Sequence, residues 1–261
     1  MNNRTVARPR WLRWLLIGAA GVAVVVLGAF LLYVFVLGDG PDALDADDLS
    51  SALVATVPSS SPAATDAPAG TTAAPGTTSP ADFSAPTGFD GDWAPTAASE
   101  FGYRVDEVIA GANVTAVGRS SEIDGLLTIE GTTATVVDIE VMVESIRSDD
   151  ALRNAQFRGR IMSVDQFPTA TFRLTEPIEF GMIPTGDEQV TATATGELTL
   201  RGVTNPVTFE VTAQTTDGRI GVLGSIPVLF EDYGIDNPSF GAVSVEDDGL
   251  VEFVLVFEPA T

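Results

Sequence analysis

The alternation of apolar and polar residues restricts the fold of this chain more than any other feature. Within Thr133–Ile146, four apolar residues alternate with residues that are mostly acidic: Val137, Ile139, Val141 and Val143 on one side, and Asp138, Glu140, Met142 and Glu144 on the other. Successive side chains of a β-strand point to opposite faces, so this segment has one face for a core and one for water. Residues Gly125–Glu130 alternate too, and the pair Gly131–Thr132 predicts the turn of a β-hairpin.

The same period-two pattern returns five times between residues 169 and 259, and the connections between these segments are short. With weaker segments near Phe101–Val105 and Val114–Val117, we count about eight or nine strands. Short connections favour an antiparallel meander, and one apolar face per strand favours a closed barrel or a sandwich. The inward positions carry almost no charge, so a ligand enclosed by such a barrel would be apolar.

One segment interrupts the strands with helical character. Ser148 is a candidate N-cap, Asp149 and Asp150 suit the positive end of a helix dipole, and Leu152 supplies an apolar contact. We therefore expect a single short helix between residues 148 and 157.

The residue types that are missing exclude several classes of chemistry. The chain has no Cys and no His, and all 13 basic residues are Arg. Thiol nucleophiles, disulfides, His-based triads, His-ligated metals and lysine Schiff bases are thereby excluded. An enzyme would need two carboxylates that converge in one pocket, but the acidic residues fall on outward strand positions or in loops. We predict no catalytic residue, no metal site and no cofactor.

The formal net charge of −23 argues against anionic partners. Such a surface repels the phosphates of nucleic acids and the headgroups of anionic lipids. We therefore expect no nucleic-acid partner, and we interpret the acidity mainly as a contribution to solubility.

An uncharged run of 25 residues, Trp14–Gly38, stands near the N-terminus. As a helix it is long enough to cross a bilayer, and four arginines precede it while no positive charge closely follows it. We predict a single-pass anchor in the cell membrane, with residues 1–13 in the cytoplasm and the rest outside it. The alternative is a cleaved secretory signal, although this run is longer and ends in bulkier residues than is usual for one.

The segment between the apolar run and the strands is rich in Pro, Ala, Ser and Thr. Such a composition buries little apolar surface, so we expect residues 39–88 to be a disordered linker that acts as a stalk for a domain over residues 89–261. Within this segment, Asp47–Val54 is compatible with either a short helix or a short strand.

Two stretches carry a resemblance beyond pattern. Glu144–Phe172 reads ESIRSDDALRNAQFRGRIMSVDQFPTATF, and Gly196–Phe209 reads GELTLRGVTNPVTF. Together with FEDYGID at Phe230–Asp236, they resemble the YceI-like family in order and spacing over residues 90–258. The chain departs from the family at Phe101–Gly125, where a His-Ser pair that is often present in the family is missing.

The resemblance implies an eight-stranded antiparallel lipocalin-like β-barrel with an elongated cavity for a polyisoprenoid or a similar long-chain lipid. The full expectation is an all-β barrel with a short helix, preceded by one transmembrane helix and the disordered linker. We predict that the inward-facing residues line the lipid-binding cavity: Val137, Ile139, Val141, Val143, Phe172, Leu174, Leu198, Leu200, Val207, Phe209, Val211, Val251, Phe253 and Leu255.

The leading hypothesis is therefore a non-catalytic, membrane-tethered binding protein for a long apolar lipid. The alternative is a structural or interaction module of the cell envelope whose barrel is filled by its own side chains. The sequence leaves open whether the barrel forms a homodimer, and whether Arg153, Arg158 and Arg201 pair with carboxylates or meet a polar headgroup.

Overall fold

The computed structural model describes residues 40–55 and 88–260. Within these ranges the chain contains two α-helices, α1 (Ala46–Val54) and α2 (Ala151–Gln156), and three single helical turns at Val143–Ser145, Phe157–Ile161 and Phe230–Tyr233. The twelve described strands are β1 (Gly91–Pro95), β2 (Glu100–Ile109), β3 (Ala112–Ser120), β4 (Ile123–Glu130), β5 (Thr133–Met142), β6 (Thr169–Glu176), β7 (Ile178–Glu179), β8 (Val190–Leu200), β9 (Val203–Thr216), β10 (Arg219–Leu229), β11 (Val243–Val245) and β12 (Asp248–Pro259).

Eight of these strands close into a barrel. Neighbouring strands pair antiparallel in the order β1, β4, β5, β6, β8, β9, β10 and β12, and β12 returns to pair with β1. Trp93 opposes Pro259 at this closing pair. The prediction of an all-β fold with an eight-stranded antiparallel barrel and a short helix is therefore confirmed.

Strands β1 and β2 share one side of β12. The half of β12 near Leu250–Val254 pairs with β2, and the half near Phe257–Pro259 pairs with β1. Ser99 lies in the break between β1 and β2, where its hydroxyl accepts a hydrogen bond from the Val256 N–H at 2.9 Å and donates one to the Val256 carbonyl at 3.2 Å. The Val256 carbonyl also accepts from the Thr96 N–H at 2.8 Å, so the Ser99 hydroxyl is needed chiefly as the acceptor for the Val256 N–H.

Tight turns set the register of the strands. The pairs Ala110–Gly111, Arg201–Gly202 and Asp217–Gly218 each have two residues with positive φ and join consecutive strands. Two such residues are typical of type I′ hairpin turns, whose twist matches that of the strands they connect. The predicted hairpin of β4 and β5 is confirmed, with the turn at Gly131–Thr132.

The barrel has two ends, which we call rim A and rim B. Rim A comprises the turns Ala110–Gly111 and Arg201–Gly202, the connection 143–168 with helix α2, and the loop 230–247. Rim B comprises the turns Gly131–Thr132 and Asp217–Gly218, the loop 180–189, the start of β1 and the end of β12. Helix α2 confirms the predicted short helix, but its N-cap is Asp150, whose Oδ1 accepts from the Arg153 N–H at 2.7 Å, rather than Ser148.

The described part of the predicted linker is not disordered. Helix α1 is folded within residues 39–88, and Leu49 and Leu53 on one of its faces are 0% and 2% exposed. Its N-cap, Asp45, forms a capping box with Asp48, which starts the helix. Leu49 and Leu53, at positions i and i+4, then bury enough apolar surface to hold the helix on the barrel. The overall composition of the segment does not reveal this, because it is dominated by Pro, Ala, Ser and Thr.

Within the described ranges, no helix is both long and apolar enough to span a membrane. The predicted span, Trp14–Gly38, and most of the predicted linker lie outside these ranges.

Candidate functional site

The inward faces of the strands surround an apolar cavity of about 590 Å³. Aliphatic and aromatic side chains from both rims and from the middle of the barrel line it. Near the middle, the ring of Phe209 makes edge contacts with the rings of Phe172 and Phe253, at centroid distances of 5.4 and 6.1 Å. The volume falls within the range of roughly 300–1,000 Å³ that is typical of small-molecule sites.

Twelve of the fourteen predicted wall residues line this cavity. The two that do not are Leu174 and Val207, which pack against the hydrophobic core as partly buried side chains. Both residues lie on the predicted inward face of their strands. The alternation therefore predicted correctly that they pack against the core, but it did not predict that they lie away from the cavity. Whether the wall residues bind a lipid stays a prediction.

The sequence-based selection missed a complete side of the cavity. Ile220, Val222, Ile226 and Val228 of β10 line it, and so does the small residue Ala194 of β8. The period-two signal was present in β10, but its outward positions include Gly221, Leu223 and Pro227 instead of charged residues. Without polar residues at those positions, the sequence does not show which face of β10 points inward.

Charged lining residues are confined to rim A in the part of the chain that the structure describes. They are Glu107 of β2 and Asp150 and Arg153, which cap and form helix α2. Arg153 Nη2 lies 2.9 Å from Glu107 Oε1, and Arg153 Nη1 lies 2.5 Å from Asp149 Oδ1. The cavity is therefore apolar along most of its length and has a polar, ion-paired group at one end.

Tyr103 extends this polar group into the cavity. Its ring stacks on that of Phe157 with centroids 4.7 Å apart, and it fills the space beside Gly118, where a Cβ would approach the ring at 2.4 Å. Burial raises the pKa of the Tyr103 phenol, and the positive charge of Arg153 only partly offsets this effect. The hydroxyl is thus neutral at physiological pH and available as a hydrogen-bond donor.

Arg153 keeps its charge beside this phenol. Burial is the largest single influence and lowers the pKa of the guanidinium, but Glu107, Asp149 and Tyr103 together outweigh burial, and the net direction is upward. The two other arginines singled out in the sequence do not line the cavity: Arg201 donates to the Gly234 carbonyl across rim A, and Arg158 is half-buried outside the wall.

Exposed apolar residues differ between the two rims. At rim A, Leu152 is 67% exposed and Phe240 is 81% exposed, and both line the cavity. At rim B, Met182 is 44% exposed and also lines it. Rim A therefore presents the larger apolar surface to its surroundings.

Comparison with protein families matches residues 94–257 to the YceI-like domain. A UPF0312 protein of Pseudomonas paraeruginosa is 34% identical over 127 residues, which make up 45% of this chain and 62% of that protein. The matched region thus spans less than two thirds of that relative's length. A UPF0312 protein of Shewanella denitrificans is 29% identical over 160 residues, which make up 54% of this chain and 80% of that protein.

Among solved structures, the barrel is similar to a polyisoprenoid-binding domain from Saccharophagus degradans that is implicated in plant cell wall breakdown. The TM-score is 0.51 at 17% sequence identity, and the superposition covers 64% of this chain and 98% of that domain. At this identity the similarity shows a shared fold.

Proposed function

This chain belongs to the YceI-like family, whose members are binding proteins rather than enzymes, and we propose that it binds a long apolar lipid inside its barrel, a polyisoprenoid being the leading candidate. The observation that carries the proposal is the cavity of about 590 Å³ with an apolar wall from rim to rim. Each buried methylene of a lipid chain contributes about 0.8 kcal/mol, so an enclosed chain offsets the cost of association.

The position of the polar group at rim A predicts the orientation of the lipid in the cavity. Glu107, Arg153 and Tyr103 stand at rim A, whereas the wall farther inside carries no charge. An amphiphilic lipid would place its tail toward rim B and its polar end at rim A, where Arg153 and the Tyr103 hydroxyl can donate hydrogen bonds. A filled barrel, the alternative considered for this sequence, agrees less well with a cavity of this size.

We also propose that the protein is tethered outside the cytoplasmic membrane through Trp14–Gly38. The support comes from the length of this apolar run and from the arginines at positions 4, 8, 10 and 13 that precede it. A tether keeps the barrel at high local concentration near the bilayer that contains its ligand.

The test is native mass spectrometry of the full chain purified from bacterial membranes in detergent. We expect an adduct with the mass of a long-chain lipid in the wild-type protein. Ala194→Phe places a ring in the cavity and is expected to remove the adduct, because Ala194 is a 1% exposed wall residue.

The matched control is Thr193→Phe, one residue away on the outer face of β8, where the side chain is exposed. This variant is expected to keep the adduct. A folded wild-type protein that carries no lipid, or equal adducts in both variants, would contradict lipid binding inside the barrel.

A further inference from the structure

Residues 40–55 form a strap along the outer wall of the barrel. At its start, the Gly40 N–H donates to the Thr115 carbonyl at 3.0 Å. A Cβ on Gly40 would lie 2.7 Å from Val117 Cγ2, so the strap lies directly on β3. From Thr115, β3 runs back only four residues to Gly111 in a turn of rim A. The strap therefore begins near rim A.

The middle of the strap covers a buried charged group. Arg104 Nη2 donates to the Pro41 carbonyl at 2.5 Å, and the Leu44 N–H donates to Glu252 Oε2 at 3.3 Å. Glu252 is 3% exposed and forms ion pairs with Arg104 and Arg119. The strap thus supplies a further hydrogen bond to the Glu252 carboxylate and covers its side that would otherwise face solvent.

The strap ends at rim B. In helix α1, Leu49 and Leu53 pack on Val254 and Val256 of β12 and face Gly221 of β10. At the end of the strap, Arg219 Nη1 donates to the Ala55 carbonyl at 2.9 Å. Arg219 is the first residue of β10, next to the rim B turn at Asp217–Gly218.

Because of this path, the barrel and the apolar run Trp14–Gly38 are not separated by the whole of the predicted linker. Only Asp39 stands between Gly38, the last residue of that run, and Gly40 on the barrel wall. Two residue steps span at most about 7 Å. Residues 56–87, by contrast, leave from Ala55 at rim B and return at Gly88, close to the rim B contact in which Asp90 Oδ1 accepts from the Gly131 N–H. They connect two points of rim B rather than the barrel and the apolar run.

The two rims differ in their arginines and in their exposed apolar residues. Nine arginines lie in the described residues; five of them are at rim A and one, Arg219, is at rim B. The five at rim A are Arg147, Arg153, Arg158, Arg160 and Arg201. Rim A also holds nine carboxylates, so both rims are net acidic and the overall charge does not favour either of them at an anionic membrane. What distinguishes rim A is the exposed apolar pair Leu152 and Phe240 with arginines nearby, because apolar side chains can enter the bilayer while arginines contact lipid phosphates.

We propose that the strap clamps the barrel with rim A facing the membrane that holds Trp14–Gly38, so that the lipid passes from the bilayer into the cavity through rim A. The proposal rests on the proposed function and gives the lipid its source and its route. It replaces a barrel on a long stalk with one held at the membrane surface in a defined orientation.

The test uses the full chain in vesicles of phosphatidylcholine and phosphatidylglycerol. Because the chain has no Cys, Ala242→Cys at rim A and Thr185→Cys at rim B each provide one labelling site on an exposed residue outside the cavity wall. Energy transfer from the label to a headgroup-labelled acceptor lipid is then measured. The two sites lie roughly 27 Å apart along the barrel axis, given strands of about 11 residues with a tilt of about 40°.

We expect clearly stronger transfer from the label at position 242 than from the label at position 185. Equal transfer from both sites, or stronger transfer from position 185, would overturn the proposal. In the background Leu49→Asp with Leu53→Asp, the strap should detach and the difference should disappear. Val54→Asp is the matched control on the same helix, because Val54 is 69% exposed, and it should preserve the difference.

Two further readouts separate the possible causes of failure. Circular dichroism shows whether the double variant keeps its barrel; if it unfolds, the comparison of the two labels in the wild-type background still decides the proposal. Native mass spectrometry of the same preparations reports lipid occupancy. Lipid binding without a preferred orientation overturns the clamp alone, whereas a preferred orientation without lipid supports the clamp and contradicts the proposed function.

Discussion

The guanidinium of Arg153 in helix α2 lies 2.9 Å from the carboxylate of Glu107 in strand β2 and joins these two elements at rim A. The two side chains are 21% and 10% exposed, so solvent screens this ion pair less than a pair on the open surface. It lies at one end of an otherwise apolar cavity and, with Asp150, forms the charged part of the wall in the residues that the structure describes.

Arg153→Gln is expected to destabilise the protein by about 1–3 kcal/mol, because Glu107 would keep its burial and lose its charged partner. The control is Arg173→Gln, which breaks the pair with Asp138 on the outer face, where the side chains are 68% and 45% exposed. That change should cost no more than about 0.5 kcal/mol. Urea denaturation of both variants checks the prediction, and equal losses would contradict it.

The stability of the protein should fall in alkaline solution through Tyr103. Its pKa is raised by burial, so the native state holds the phenol proton after the unfolded chain, with a pKa of about 10, has released it. Stability is therefore unaffected below about pH 10 and is lost as the pH rises through the higher native pKa.

Denaturation measured across this alkaline range tests the sign of the effect. Tyr103→Phe cannot ionise and should show a shallower loss of stability, while Tyr233, whose pKa burial also raises, should account for part of what remains. A variant whose loss is as steep as that of the wild type would show that Tyr103 does not contribute.

The break between β1 and β2 should depend on the hydroxyl of Ser99. This side chain is 1% exposed, and both of its hydrogen bonds go to the backbone of Val256. Ser99→Ala leaves the buried Val256 N–H without its hydrogen-bond acceptor, whereas the Val256 carbonyl keeps the Thr96 N–H, and the change is expected to cost about 1–3 kcal/mol. Ser244→Ala, at an exposed position, serves as the control in thermal or urea unfolding, and a loss no larger than that of this control would refute the assignment.

Docking of the strap can be measured without a membrane. Leu49→Ala removes a fully buried side chain and is expected to weaken the packing of α1 by about 2–5 kcal/mol. The amides of Ala46–Val54 should then exchange with solvent much faster, while those of the barrel strands keep their protection. Val54→Ala should leave the exchange unchanged, and a barrel that loses protection together with α1 would show that the two do not open independently.

Much of the barrel could be predicted from the local pattern of apolar and polar residues. The alternation of Val137, Ile139 and Val141 with acidic residues predicted both the strand β5 and the face that lines the cavity. The short helix and the β4–β5 hairpin were predicted for the same reason, since capping residues and turn residues act within a few positions of the chain. The wall residues of β10 escaped prediction because its outward positions hold Gly and Pro, which leave no polar contrast.

Other features depend on residues that are distant in the sequence. Helix α1 looked like part of a low-complexity linker, because the surface that buries Leu49 and Leu53 comes from β10 and β12, some 170–200 positions later. The Arg153–Glu107 pair joins a helix to a strand that precedes it by more than 40 residues. No local pattern contains either contact.

The sequence by itself determined most of the strands, the short helix α2, the inward faces of most strands and the family, because alternation, turn chemistry and motif spacing are properties of short stretches. Only the tertiary structure decided that β12 closes on β1, that the interior stays open as a cavity with its charges at rim A, and that residues 40–55 lie on the outer wall. These properties arise when strands from opposite parts of the chain come together, and the packing of their side chains then determines which space is filled and which remains.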